Sequence, residues 1–310
     1  MIDFFSSLNS PALSFLKYAF LIGIFGSVSF GIIGTYIVTK RIASIAGAVS
    51  HCILAGIGAA IFFRQQFGLA WLHPIYGSVV AALLSAIIIG LVSMYTKQRE
   101  DTVIGAIWAV GMATGLLFLA GTTGYVDIDA YLFGNILLVS RDDFIMTLVL
   151  NLIVIVPSLL FFNNFMAVCF DEQFAELRGL RTKLTYMSLL CMVALTVVLM
   201  VSVIGIILVL ALLTLPAAVA GHFTKRLWPM MVLSAILCAI FTTGGLTMSY
   251  HANLPSAPLI AALAGAAYLM TIIVFAVIRR IKQRSNNFRN LDLEELRKDT
   301  FSSFFDSGVS

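Results

Sequence analysis

Four histidines are the side chains of this sequence best able to hold a transition-metal ion: His51, His73, His222 and His251. Neutral imidazole suits zinc, and also manganese and iron. HExxH and CxxC are both absent, so no short motif gathers the ligands. His51 falls in the middle of a long apolar run, in GAVSH, whereas the other three stand at the ends of such runs. A midplane ionisable residue is functional by default, but one at a span end also fits the water interface. His51 therefore reads as a functional residue, and His73 and His222 read first as interfacial. Spread from one side of the chain to the other, the four could mark a route.

Two further groups carry polar chemistry. CFDEQFAELRGL, from Cys169 to Leu180, stands between two nearly pure hydrocarbon runs. Phe170, Phe174 and Leu177 recur at i, i+4 and i+7, one face of a helix. Asp171 and Glu172 lie at its start and Arg178 and Arg181 at or beyond its end, each complementing the helix dipole. Gly179 supplies a stop. Such a stripe suits a helix lying on lipid or one docking in a partner's groove. The second group is the stretch Gly121–Asp143, which carries Asp127, Asp129, Asp142 and Asp143 and reads as a solvated loop. Within it, YLFGNILLV fits a short re-entrant or interfacial helix.

The elements that must position these groups are membrane spans. The chain has 310 residues, 60% of them hydrophobic and 11% charged, with a mean hydropathy of +1.02. A soluble domain carries about 25% charged residues for its surface. This chain must turn most of its surface to lipid, and its runs are apolar on all sides rather than alternating, which excludes a barrel. The fold class expected is all-α, a polytopic helical membrane protein with about nine transmembrane helices. The runs lie at roughly 15–38, 43–63, 75–95, 103–121, 144–165, 184–202, 204–221, 228–249 and 257–278. Only Gly205 marks a turn between the sixth and the seventh. No Asp, Glu or Arg falls inside them. Pro157 and Pro216 should kink their spans. Small residues recur every fourth position at Gly23, Ser27 and Gly31, at Gly105, Ala109 and Ala113, at Gly111 and Gly115, and at Ala261 and Gly265, which reads as close packing within one bundle. The four cysteines are scattered among the spans, against a disulfide framework.

Basic residues set the orientation. With the loop after the fifth span inside, the inner loops hold Lys40, Arg41, Lys97, Arg99, Arg178, Arg181, Lys183, Lys225 and Arg226. The tail adds seven more, leaving only Lys17, Arg64 and Arg141 of the 19 elsewhere. The N-terminus is expected outside and the C-terminus inside. Residues 1–280 are expected to form a transmembrane domain and 281–310 a polar cytoplasmic tail, in which NLDLEELRKD could form a short helix. The N-terminus does not read as a cleaved signal.

Six segments together carry a resemblance: SHCILAGIGAA, EDTVIGAIWAVGMATGLLF, YLFGNILLVSRDDF, FDEQFAELRGL, VIGIILVLALLTLPAAVAGHFTKRL and GLTMSYHANLPSAPLI. In this order they resemble the membrane permeases of ABC importers for zinc, manganese and iron, over most of residues 15–280. The resemblance implies that Phe170, Asp171, Glu172, Phe174, Ala175, Glu176, Leu177 and Gly179 belong to a coupling helix seated on a separate ATP-hydrolysing subunit. No GxxxxGK[ST] loop occurs here, so ATP hydrolysis would lie on that partner and not on this chain. His51, His251 and Asn253 are the candidate metal ligands by residue type and position. The resemblance implies Asp127, Asp129, Asp142 and Asp143 as a docking face for an extracytoplasmic metal-binding protein. Other implied partners are a second permease subunit and membrane lipid, with no nucleic acid. No tightly bound cofactor is implied, since the divalent metal ion is cargo. The expected location is a bacterial cytoplasmic (inner) membrane.

The sequence departs from the family at two positions. An Asp usual one turn before the second-span histidine is Gly47 here, and an Asp usual before LPSGP is Asn253. Altered metal preference, transient binding, or a second permease chain that carries the acids would each account for this, and the last is favoured. Rival readings are an iron-chelate or cofactor ABC permease, and an ion-gradient-driven secondary metal transporter. The second usually needs intramembrane carboxylates and internal repeats. An intramembrane enzyme finds no motif.

Overall fold

The computed structural model describes residues 14–96, 99–122, 134, 141–252 and 254–306. Eleven helices are found among them: α1 (Ser14–Lys40), α2 (Ala43–Phe67), α3 (Pro74–Tyr95), α4 (Glu100–Ala120), α5 (Arg141–Leu160), α6 (Phe162–Phe170), α7 (Glu172–Leu177), α8 (Thr182–Ile204), α9 (Ile206–Phe223), α10 (Leu227–Ala252) and α11 (Ser256–Asp306). No strand occurs among the described residues. Eight helices are each long and apolar enough to cross a membrane, or nine spans if the bent pair α5 and α6 is one. In hydrocarbon a backbone must satisfy its own hydrogen bonds, and a helix does so within each segment.

The spans meet where the sequence offers small or polar side chains. In the unit Met1–Gly265, α1 packs along α10, α9 and α5, while α2 lies along α4 and α3. α8 touches α3, α5, α2 and α1 and so joins these groups. A Cβ at Gly31 of α1 would lie 2.5 Å from the backbone nitrogen of Ala235, so α10 approaches there to backbone contact. Gly111 and Gly115 of α4 face Cys52 and Leu54–Ala55 of α2 in the same way. Asn151 of α5 donates to the Phe25 carbonyl at 2.7 Å and accepts from Ser29, and Tyr36 donates to the Ser158 carbonyl at 3.2 Å. These bonds tie α5 to α1. In the second unit, Ala266–Ser310, α11 runs to Asp306 and stays helical through NLDLEELRKD instead of forming a separate short helix there.

Two breaks depend on local chemistry. Gly205 alone separates α8 from α9, at φ 84 and ψ 161, a backbone region essentially reserved for glycine. The fifth span differs from the single run expected at 144–165. It ends at Leu160, and α6 leaves at 72°. Phe161 forms the joint, four residues beyond Pro157, and Asn163 and Asn164 follow where the hydrocarbon run stops. After the bend, Phe165, Val168 and Cys169 are buried, Phe165 edge-on to Tyr36 of α1 at 5.5 Å.

Candidate metal path and coupling surface

α7 is built to be short and well capped. Asp171 precedes it in extended conformation, and its carboxylate accepts the Phe174 N–H at 2.9 Å. At the other end Gly179 N–H donates to Glu176 and Leu180 N–H to Ala175, the paired bonds of a Schellman stop, with Gly179 at φ 80. Ala175 is buried at 1% exposure, so the helix rests on the bundle through that side chain. The single stripe expected from the sequence is divided: extended Asp171 breaks the helix, so Phe170 ends α6 and only Phe174 and Leu177 lie on α7. All three are open, at 66%, 52% and 87% exposure. Arg178 lies over the Phe174 ring at 4.8 Å, holding it to one side. Asp171, Glu176 and Gly179 are also exposed.

Lys40, the last residue of α1, was legible only as a topological charge. Its ammonium donates to Glu172 Oε2 at 2.9 Å and to the Val168 carbonyl at 3.0 Å. It lies 5.6 Å from the Tyr186 ring centroid on α8. A cavity of about 360 Å³ opens beside it, lined also by Arg41, Ser93, Glu100, Glu176 and Lys183.

His51 sits on α2, on the side facing α4. Its ring stacks almost flat on Trp108, with centroids 4.5 Å apart and planes 16° from parallel. Its Nδ1 is buried and has no hydrogen-bond partner, the one such side-chain atom among the described residues. Buried polar atoms are nearly always paired, so an orphaned imidazole nitrogen stands out. Gly47, one turn earlier, shares this site. A Cβ there would lie 3.7 Å from Trp108 and 3.9 Å from Leu210 of α9, ordinary contact, so a side chain could be accommodated. Trp108 was not singled out from sequence. The available signal was its place one turn before Gly111, on the face of α4 that meets α2.

The other candidates are not gathered here. His73 caps α3, its Nδ1 accepting the Ile75 N–H at 3.5 Å. His251 is exposed at the end of α10, its ring 5.8 Å from that of Tyr250. His222 is exposed near the end of α9. Among the described residues no three His, Cys, Asp or Glu side chains come close enough to hold a metal together. Asn253, Asp127, Asp129 and most of YLFGNILLV lie outside the described residues. Asp142 and Asp143 fall in the first turn of α5.

Known proteins resemble this chain in sequence and in fold. Residues 12–275 match the model of the ABC 3 transport family. A Chlamydia trachomatis protein described as "Probable metal transport system membrane protein" is 35% identical over 276 residues, 88% of this chain and 92% of that one. The "Manganese transport system membrane protein MntC" of Listeria monocytogenes is 30% identical, over 84% of this chain and 89% of its own. Among solved structures, "PsaBC from Streptococcus pneumoniae in complex with Fab" matches with a TM-score of 0.76 at 27% identity, over 87% of this chain and 95% of that chain. With a family match over most of its length and a helical bundle to fit it, the chain belongs to the ABC 3 transport family, as a multi-pass membrane permease.

Proposed function

We propose that this chain is a membrane-spanning subunit of an ATP-driven importer, carrying a divalent transition-metal ion across the bacterial cytoplasmic membrane. Zinc, manganese and iron are the candidates, and the manganese transport relatives put manganese among those to test first. The observation that carries the reading is α7: a capped helix whose Phe174 and Leu177, with Phe170 just before it at the end of α6, are open to a partner while Ala175 rests on the bundle. A separate ATP-hydrolysing subunit would seat on Phe170, Phe174 and Leu177. An external metal-binding protein would deliver the ion at the side bearing Asp127, Asp129, Asp142 and Asp143. The N-terminus lies outside and the C-terminus inside, with residues 1–280 as the permease and 281–310 as a polar tail.

A bare dication in hydrocarbon would cost on the order of tens of kcal/mol, so the path must supply ligands or water. His51 would offer a nitrogen at mid-depth, and His251 with Asn253 a nitrogen and an amide oxygen at the outer end. Neither group bears a carboxylate, and α4, which carries Trp108, has only 22% of its span buried within this chain. A second permease chain would cover that side and carry the missing acids.

The test is metal-stimulated ATP hydrolysis and uptake in proteoliposomes holding this chain, its ATPase subunit and its binding protein, with and without a second permease chain. Stimulation by one of the three metals, lost in His51→Ala, is expected only when the second chain is present. Uptake by this chain without it sinks the partner proposal. No response to any metal in either format returns the chelate reading to the front.

A further inference from the structure

We infer that Lys40 is a positioning residue for transport. It is a clasp through which movement of the coupling helix α7 is passed to α1 and α2, and so to His51.

Three observations converge on it. Glu172 is the first residue of α7, and its carboxylate meets Lys40 at 2.9 Å, with the lysine side chain only 19% exposed. The same ammonium holds the Val168 carbonyl in the last turn of α6, where the helix dipole favours a cation. α7 is therefore fastened at its N-terminal end to the end of α1.

From Lys40 only two residues lead to α2. Arg41 stands at φ 62, the one non-glycine residue with positive φ among the described residues, and Ile42 is buried. Ile42 N–H donates back to Ile37 at 3.0 Å and Arg41 N–H to Val38 at 3.3 Å, so the turn is a closed Schellman stop without slack. A displacement of Lys40 is then carried into the first turns of α2, whose next turns hold Gly47 and His51. A partly buried, doubly bonded lysine can transmit such a force, whereas a freely solvated surface pair would dissipate it.

The inference rests on the proposed docking of an ATPase subunit at α7, and its test separates the two. Wild type, Lys40→Met, Glu172→Gln, the double variant and Lys40→Arg are reconstituted with the ATPase subunit and the binding protein, with Lys225→Met as a charge-matched control. The reading is metal taken up per ATP hydrolysed. Lys40→Met should lower that ratio roughly tenfold, the scale of a typical coupling free energy. The double variant should fall no further, and Lys40→Arg should keep most of the ratio. A purely structural role would lower uptake and hydrolysis together and leave the ratio unchanged, which overturns the clasp, as does a further fall in the double variant.

A second readout needs no metal. Gln66→Cys, at the opposite end of α2, is placed in a chain whose native cysteines are replaced by alanine. Its maleimide labelling rate is compared without nucleotide and with ATP plus vanadate. The rate should change with Lys40 present and not in Lys40→Met. An equal change in both, or none with Lys40 present, overturns the inference. If the labelling behaves as expected but no metal is imported, the clasp stands and the metal reading fails.

Discussion

The His51 imidazole is held by a flat stack on Trp108 while its buried Nδ1 has nothing to bond, and Gly47 beside it leaves room where a carboxylate would suit a dication. Gly47→Asp tests this directly. A Cβ there meets only ordinary contacts, so the backbone has room for a side chain, and the new carboxylate should tighten metal binding by roughly tenfold, or ~1.4 kcal/mol. It should also move selectivity toward manganese, since carboxylate oxygen suits the harder ion. Competition uptake with zinc and manganese reads both effects, and unchanged affinity would show that position 47 does not face the ion. His51 stood out in the sequence because an ionisable group in an apolar run does, and the absent carboxylate at Gly47 was visible only against the family pattern. Trp108 was not, because an aromatic in a membrane helix is ordinary until its neighbour across the bundle is known.

At the level of elements, α7 separates what holds it in place from what it presents. Phe174 is half exposed, so Phe174→Ala should leave thermal stability within about 0.5 kcal/mol. It should weaken capture of the ATPase subunit by ~2 kcal/mol, as expected for an aromatic anchor. Asp171→Ala removes the cap and should cost about 1 kcal/mol in the same binding assay, through a frayed helix rather than a lost contact. Equal loss of melting temperature and binding in the Phe174 variant would mean that its ring belongs to the bundle. The start at Asp171 and the stop at Gly179 are local in sequence and were legible there, whereas Phe170, expected on the same helix, ends α6 instead. Gly205 was legible for the same reason: its backbone angles exclude a side chain, and Gly205→Ala should cost about 1–3 kcal/mol in a detergent melt. The bend at Phe161 was not anticipated at its place. Pro157 suggested a kink, but the turn falls where α6 can bury Phe165, Val168 and Cys169, and that choice is made by α1.

For the whole molecule, the small-residue rows of the sequence divide into two kinds. Gly31 meets the backbone of α10, whereas Gly105 has nothing within 4 Å. Gly31→Val should therefore destabilise the bundle by about 1–3 kcal/mol while Gly105→Val changes the melt little. Equal effects would mean that the packing of α1 on α10 is misassigned. The sequence by itself determined the all-helical membrane class, a count of about nine spans and the start and stop of α7, because hydropathy and capping are properties of neighbouring residues. Tertiary structure alone decided that Trp108 covers His51, that Lys40 reaches Glu172 from 132 positions away, and which glycines touch a backbone. In lipid every span is apolar on all sides, so composition gives little information about which face meets which helix, and only the packed bundle supplies it.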